Sequence, residues 1–444
     1  MKKQPQNDFL NRRQALFGGS VGVGLLLRGL ATGLPPAWLS ASRFALAQEM
    51  NEALPQILIM SSSSSGDPVN VNVPGSYVDG VTNNPILAVS DNVRLGGRPP
   101  VRAAQVWGDL PRALRDRLAF VHYSSRTAAH PEFTKAMTLH GAVKTSQGNG
   151  SEMLSSALAS LGATPLACRQ REPIPLTNET VTFEGQPLQF VKPSEVKALF
   201  SAQEDSLADL RSARDRALNE LYRGLQNGGT RAQKKFLDRY LLSRDQARSL
   251  GEELGTLLEG LSTDPDLMDG PGDQVKAAVA LAQLNIAPVI NIKIPFGGDN
   301  HQDADLSIEA EQTTTGIGHI RDLWTLLGEV NHSDRVSFAM LNVFGRTFER
   351  NSRGGRNHNR YHGVMVAFGQ QIQGGVYGGV TSDGRAMNID PVSGVARAEG
   401  GISSELALEA AGFSLARSMG YTQEQVSSRI QGGELITSFL RGGS

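Results

Sequence analysis

The segment Phe296-Gly297-Gly298-Asp299-Asn300-His301-Gln302-Asp303 places a carboxylate and an imidazole two residues apart on a glycine-supported loop. Oxygen and imidazole donors both suit zinc or manganese, so Asp299 and His301 are candidate ligands of one metal. The competing reading is an Asx-rich loop whose side chains bond to their own backbone. A second segment starts Phe344-Gly345-Arg346-Thr347 and continues as Gly354-Gly355-Arg356-Asn357-His358-Asn359-Arg360. Its glycines, with Arg346, Arg353, Arg356 and Arg360, suit an anion such as phosphate or sulfate, and His358 suits a ligand or an acid. The alternative there is an exposed basic loop. Asp67 and His130 each follow a predicted strand and complete the set of polar residues at strand ends. The serine run 61–65 has no companion base in view and reads as a flexible polar loop. No Gly-x-Ser-x-Gly elbow, Walker loop, dinucleotide fingerprint or His-Glu-x-x-His occurs.

The elements that must position these residues follow an α/β pattern. Ile57-Leu58-Ile59-Met60 and Leu118-Ala119-Phe120-Val121-His122-Tyr123 are continuous apolar-rich runs, as expected of strands covered on both faces. Further β-rich runs lie at Ile286 to Ile294, Val336 to Phe344 and Val364 to Phe368, with a helical stretch around Pro111 to Arg117. Strands alternating with helical patterns predict a mainly parallel sheet with helices on both faces. In such sheets ligands sit beyond the carboxyl ends of the strands, where all four candidate segments fall. Between Ser194 and Leu261 the texture changes. Leu250, Leu254, Leu257, Leu258 and Leu261 form a one-sided helical stripe, and Asn227-Gly228-Gly229 breaks the region before Thr230. This predicts a helical hairpin inserted between two halves of one domain, and Ser403 to Leu440 reads as two packing helices.

The chain has 444 residues, 39% hydrophobic and 20% charged, enough to bury a large core. With 43 basic and 44 acidic side chains there is no electrostatic footprint for nucleic acid. The single cysteine, Cys168, excludes an intramolecular disulfide and any Cys-rich metal site. The N-terminus reads as an export signal: Lys2 and Lys3, the pair Arg12-Arg13, a Gly- and Leu-rich stretch from Phe17 to Leu34, then Ala45-Leu46-Ala47. Arg28 and Pro35-Pro36 interrupt the apolar run well short of the ~20 residues of a spanning helix. Residues 1–47 carry six basic side chains against Asp8; relative to the whole-chain charge of −1, their removal leaves about −6. The expected organisation is thus a signal over 1–47, half-domains over 48–193 and 266–444, and the insertion over 194–265.

The paired arginines resemble a twin-arginine signal, and the order of the downstream motifs resembles the exported, sulfatase-like family described as domain of unknown function 1501, within the alkaline phosphatase-like superfamily. Asp67, Asn70 and Val73-Pro74 match its first loop. Gly297-Gly298-Asp299-Asn300-His301 is similar to its Gly-Gly-Trp-Asp-x-His loop without the Trp. Phe344-Gly345-Arg346-Thr347 matches Glu-Phe-Gly-Arg-Thr with Val343 in the Glu place, and Gly355-Arg356-Asn357-His358 matches Gly-Arg-Asp-His with Asn for Asp. Gly374-Gly375-Val376-Tyr377-Gly378 matches Gly-Gly-x-x-Gly. Where relatives carry Ser-His-Phe this chain reads Ala129-His130-Pro131-Glu132-Phe133, so the hydroxyl is missing, with Thr127 and Thr134 nearby.

The resemblance implies a three-layer α/β sandwich around a mainly parallel sheet, of alkaline phosphatase/sulfatase type, and a metal-dependent hydrolase of phosphate or sulfate esters. It implies a divalent metal (zinc, manganese or calcium) on Asp67, Asp299, His301 and His358, with Arg346, Arg356 and His130 as catalytic groups. The expected partner is a small anionic ester or an exported protein, in the periplasm or outside the cell, with no stable membrane span once the signal is removed. The lost polar residues keep a second expectation open, a non-catalytic ligand- or partner-binding member of the same fold.

Overall fold

Ile57 to Met60 have no polar side chain to leave exposed, and strand β1, Ile57–Ser63, is buried along its whole length. In the computed structural model, residues 56–163, 170–200 and 254–442 are described, with a few further positions between 217 and 230. The predicted signal and most of the predicted hairpin lie outside the described residues. By internal packing the chain divides into two units. One comprises Leu54–Pro193 and Ser262–Ser444, and the other includes Ser194–Leu261. Of the leucine stripe in the latter, Leu254, Leu258 and Leu261 are buried, the one-sided pattern expected of an amphipathic helix.

The larger unit is built on a seven-stranded sheet. Its strands are β1, β2 (Leu118–Tyr123), β3 (Ile174–Pro175), β4 (Val289–Ile292) and β5 (Val336–Asn342). A separate two-stranded hairpin follows, β6 (Gly345–Arg350) and β7 (Arg356–Asn359), before β8 (Gly363–Phe368) and β9 (Gly375–Tyr377) complete the sheet. The spatial order is β9-β2-β8-β5-β1-β4-β3. β1 pairs in parallel with β4 and β5, with Met60 opposite Asn291 and Ala339. β8 alone runs against its neighbours β2 and β5. The expected mainly parallel α/β sheet is therefore present.

Helices cover both faces, because alternate residues of a strand point to opposite sides. Leu58, Met60, Val121 and Ala339 share one core with helices α2 (Phe133–Met137), α3 (Leu154–Gly162) and α6 (Ala407–Ser418). On the other side Trp324 of α5 (Ser307–Glu329) meets Phe368 edge-on, with ring centroids 5.7 Å apart, and Phe368 stacks on Phe338. Helix α4 (Pro271–Leu284) starts with Pro at its first turn, where the missing N–H costs nothing, and leads into β4. The expected C-terminal pair is α6 and α7 (Gln423–Arg429), the latter opened by a Thr422–Gln425 capping box. Among the described residues no helix is long and apolar enough to cross a membrane.

One sequence expectation is corrected. Ser61, Ser62 and Ser63 are not a loose polar loop but the end of β1, buried and laddered to Met340, Leu341 and Asn342. The Ser61 hydroxyl accepts the Ile294 N–H and so fixes the exit of β4. Short hydroxyl side chains survive burial here because the neighbouring loop supplies a donor.

Candidate metal centre

β1, β2, β4 and β5 end at the same edge of the sheet, and their following loops carry the candidate residues. Helix α1 (Val69–Asn72) sits behind them, and its Asn70 clamps the start of β6 by accepting the Arg346 N–H at 2.7 Å and donating to the Arg346 carbonyl at 2.9 Å. The β4 loop is held from two sides. Asp67 Oδ1 accepts the amides of Phe296 (2.9 Å) and Gly298 (2.8 Å). Asn300 donates to Glu309 Oε2 at 2.7 Å, on the first turn of α5. Gly355 lets β7 reach this loop, since a Cβ there would lie 2.1 Å from the Asn300 carbonyl oxygen.

The result is a cluster centred on Asp299. Its Oδ1 lies 2.8 Å from Arg346 Nη2, 3.3 Å from His301 Nε2 and 3.8 Å from His358 Nε2, and its Oδ2 lies 3.5 Å from His130 Nε2. The His301 and His358 Nε2 atoms are 2.8 Å apart. His130 donates through Nδ1 to the Ser64 carbonyl (2.7 Å) and His358 through Nδ1 to the Ala128 carbonyl (2.6 Å). A carbonyl can only accept, so in its neutral form each ring turns an Nε2 lone pair towards Asp299, the arrangement found behind metal-bound imidazoles. Phe344, fully buried, closes the floor. It stacks on His358 with centroids 4.2 Å apart and meets His130 at 4.9 Å. Gly66 has φ of 62° and carries no Cβ because that atom would overlap the Phe344 ring.

The electrostatics favour the ligand forms. Burial works against ionisation of Asp299, but the hydrogen bond and charge of Arg346, with His301 and His130, outweigh it and hold the carboxyl below its usual range. Burial pushes His358 towards its neutral form, aided by Arg346 and the neighbouring imidazoles, against the pull of the Ala128 carbonyl. Ligands spaced 3–4 Å apart suit metal bonds of about 2.0–2.2 Å. His130, Asp299 and His358 offer three donor atoms all within 4.8 Å of one another, with His301 beside them. The side chain of Asp299 is 49% exposed, so the cluster opens to solvent on that side.

The predicted residues therefore separate. Asp299, His301 and His358 converge, and His130, expected as a catalytic group, joins them as a donor. Asp67 does not join the cluster through Oδ1, which clasps the β4 loop, and its buried Oδ2 has no hydrogen-bond partner. Arg346, expected to bind substrate, is buried and bonded to Gly66, Ser65 and Gly298 carbonyls as well as Asp299. Arg356, expected in the same role, is buried in a two-pronged pair with Glu309, and its Nη1 serves the Thr82, Thr347 and Phe348 carbonyls. Sequence spacing shows the charge of both arginines but not the carbonyls that meet it. The Thr127 hydroxyl is held by Glu132.

Sequence reasoning missed a second pair of histidines. His122 and His362, both fully buried, are joined Nδ1 to Nε2 at 2.9 Å. His122 Nε2 donates to the Pro74 carbonyl at 3.0 Å, so its Nδ1 accepts from His362, whose Nδ1 in turn accepts from Asn70 Nδ2 at 3.1 Å. The signal was present: an imidazole inside the all-buried run 118–123 must find a partner. No family model matches the chain, and no curated protein matches it.

Proposed function

We propose that this chain is an exported, metal-dependent hydrolase of phosphate or sulfate esters, on a three-layer sandwich of alkaline phosphatase/sulfatase type with a helical hairpin inserted within 194–265. The observation that carries the proposal is acceptor facing acceptor. With neutral rings the Nε2 lone pairs of His130 and His358 face oxygens of Asp299 at 3.5 and 3.8 Å, an acceptor-to-acceptor contact that a proton or a metal ion between them relieves. Three imidazoles and one carboxylate suit zinc or manganese, whereas calcium takes six to eight oxygens.

A bound dication would supply Lewis acidity, polarising an ester oxygen and making water a better nucleophile. The chain's own residues do the rest. The Ser64 and Ala128 carbonyls hold two imidazoles in one tautomer, Arg346 orients Asp299, and Phe344 excludes water from below. Water is the nucleophile in this proposal, because Ala129 stands in the hydroxyl position and Thr127 is bonded to Glu132. Export rests on Arg12-Arg13, and Lys-Lys in their place should leave the precursor in the cytoplasm.

One observation favours the non-catalytic alternative: Arg346 and Arg356 are both buried on internal acceptors, leaving neither to clamp an anionic substrate. The deciding experiment measures bound metal and the hydrolysis of aryl phosphate and aryl sulfate, in the parent protein and in Asp299→Ala. Bound metal and turnover lost together support the hydrolase. A stable but inert protein supports the alternative, whether or not it binds metal, and a protein that binds no metal overturns the hydrolase.

A further inference from the structure

We infer that the mouth holds a single dication and that the guanidinium of Arg346 is a permanent cation standing where a second metal ion would sit. This rests on the metal-binding proposal above. Arg346 is completely buried between the loops that follow β1 and β4. From the β1 side it takes the Gly66 carbonyl through Nε at 2.5 Å and the Ser65 carbonyl through Nη2 at 2.8 Å. From the β4 side Nη2 also meets the Gly298 carbonyl at 3.3 Å and Asp299 Oδ1 at 2.8 Å, while Nη1 faces His301 Nε2 at 3.4 Å.

Paired catalytic metals sit about 3.5–4 Å apart and need further ligands for the second ion. Here Asp299 Oδ1 already faces the guanidinium at 2.8 Å. The other nearby carboxylates are engaged. Asp303 accepts the amides of Ile308 and Glu309 at the start of α5, and Glu309 is bonded by Arg356, Asn72, Asn84 and Asn300. Asp67 Oδ2 and Asn300 Oδ1, both buried, have no hydrogen bond, and of these the Asp67 carboxylate is close enough to couple to the Arg346 charge.

The charge balance points the same way. Asp67 and Asp299 bring two negative charges and Arg346 one positive, so one dication leaves a net charge of +1 and two would leave +3. A guanidinium cannot lose its proton to make room, as a lysine could. The residual positive charge beside an open mouth suits an anionic ester, which Arg346 would then favour through its field without touching it.

The test counts metal on the full-length protein after chelator stripping and reloading with Mn2+ or Zn2+, and records the electron paramagnetic resonance spectrum of the Mn2+ form. One equivalent and the spectrum of isolated ions are expected. Two equivalents with a spin-coupled spectrum would overturn the single-ion inference while leaving the metal-binding proposal standing. No bound metal would remove that proposal itself. Arg346→Met, confirmed folded by circular dichroism, should take up a second equivalent, whereas Arg346→Lys should stay at one. A folded Met variant that also stays at one would overturn the role given to Arg346. Should the Met variant not fold, the count and the Mn2+ spectrum of the parent still decide between one ion and two.

Discussion

Arg356 grips both carboxylate oxygens of Glu309, Nε to Oε2 at 2.7 Å and Nη2 to Oε1 at 3.1 Å, and neither side chain is exposed. Through Glu309 the pair reaches Asn300 and so the loop that carries Asp299 and His301. Arg356 thus acts on the candidate site by fixing a loop.

Arg356→Met should therefore lower stability by about 3–5 kcal/mol, the usual cost of leaving one member of a buried ion pair alone. Arg356→Lys should also destabilise, because an ammonium cannot reproduce the fork. Urea denaturation checks this. A Met variant of parent stability with a raised KM would instead show Arg356 to be a substrate contact.

Asp299 and Asp67 should respond differently to loss of charge. Metal at about 100 times its Kd should stabilise the parent by about 2.7 kcal/mol through mass action. Asp299→Asn should abolish that gain, whereas Asp67→Asn should keep it while costing about 1–3 kcal/mol for a weakened acceptor of two loop amides. Thermal unfolding with and without Zn2+ separates the two effects.

His122 and His362 predict acid sensitivity of the metal-free protein. Burial lowers His122 from 6.5 to about 4, against the pull of the Pro74 carbonyl, and burial with the His122 neighbour holds His362 well below its usual range. Below pH 6.5 the unfolded chain takes up these protons while the native state does not, so stability rises with pH through this window. It is fully present above about 6.5 and lost as pH falls towards 4, at up to about 1.4 kcal/mol per pH unit per histidine. Chemical denaturation across pH 4–7.5 measures the slope. A His122→Gln/His362→Gln variant should show a shallower one.

Phe344 supports two ligand rings at once. Phe344→Ala should cost about 3–5 kcal/mol for the cavity and weaken metal binding by roughly tenfold or more, as loss of ligand support does. Chelator competition measures the second effect. An unchanged metal affinity would mean that the Ser64 and Ala128 carbonyls alone orient His130 and His358.

The strands around Ile57, Leu118, Val289, Val336 and Val364, and the polar residues at their ends, were legible in the sequence, because unbroken apolar runs have few stable places other than a covered sheet. So was the pairing of Asp299 with His301, a local matter of loop chemistry. What the tertiary structure alone decided was the partner of each charge. His130 and His358 lie 228 residues apart in the chain yet present Nε2 atoms to one carboxylate, since parallel strands bring distant loops to one edge. Arg346 and Arg356 look identical as letters, but one meets Asp299 and the other Glu309, and which carbonyls and carboxylates surround a buried guanidinium depends on packing rather than on spacing.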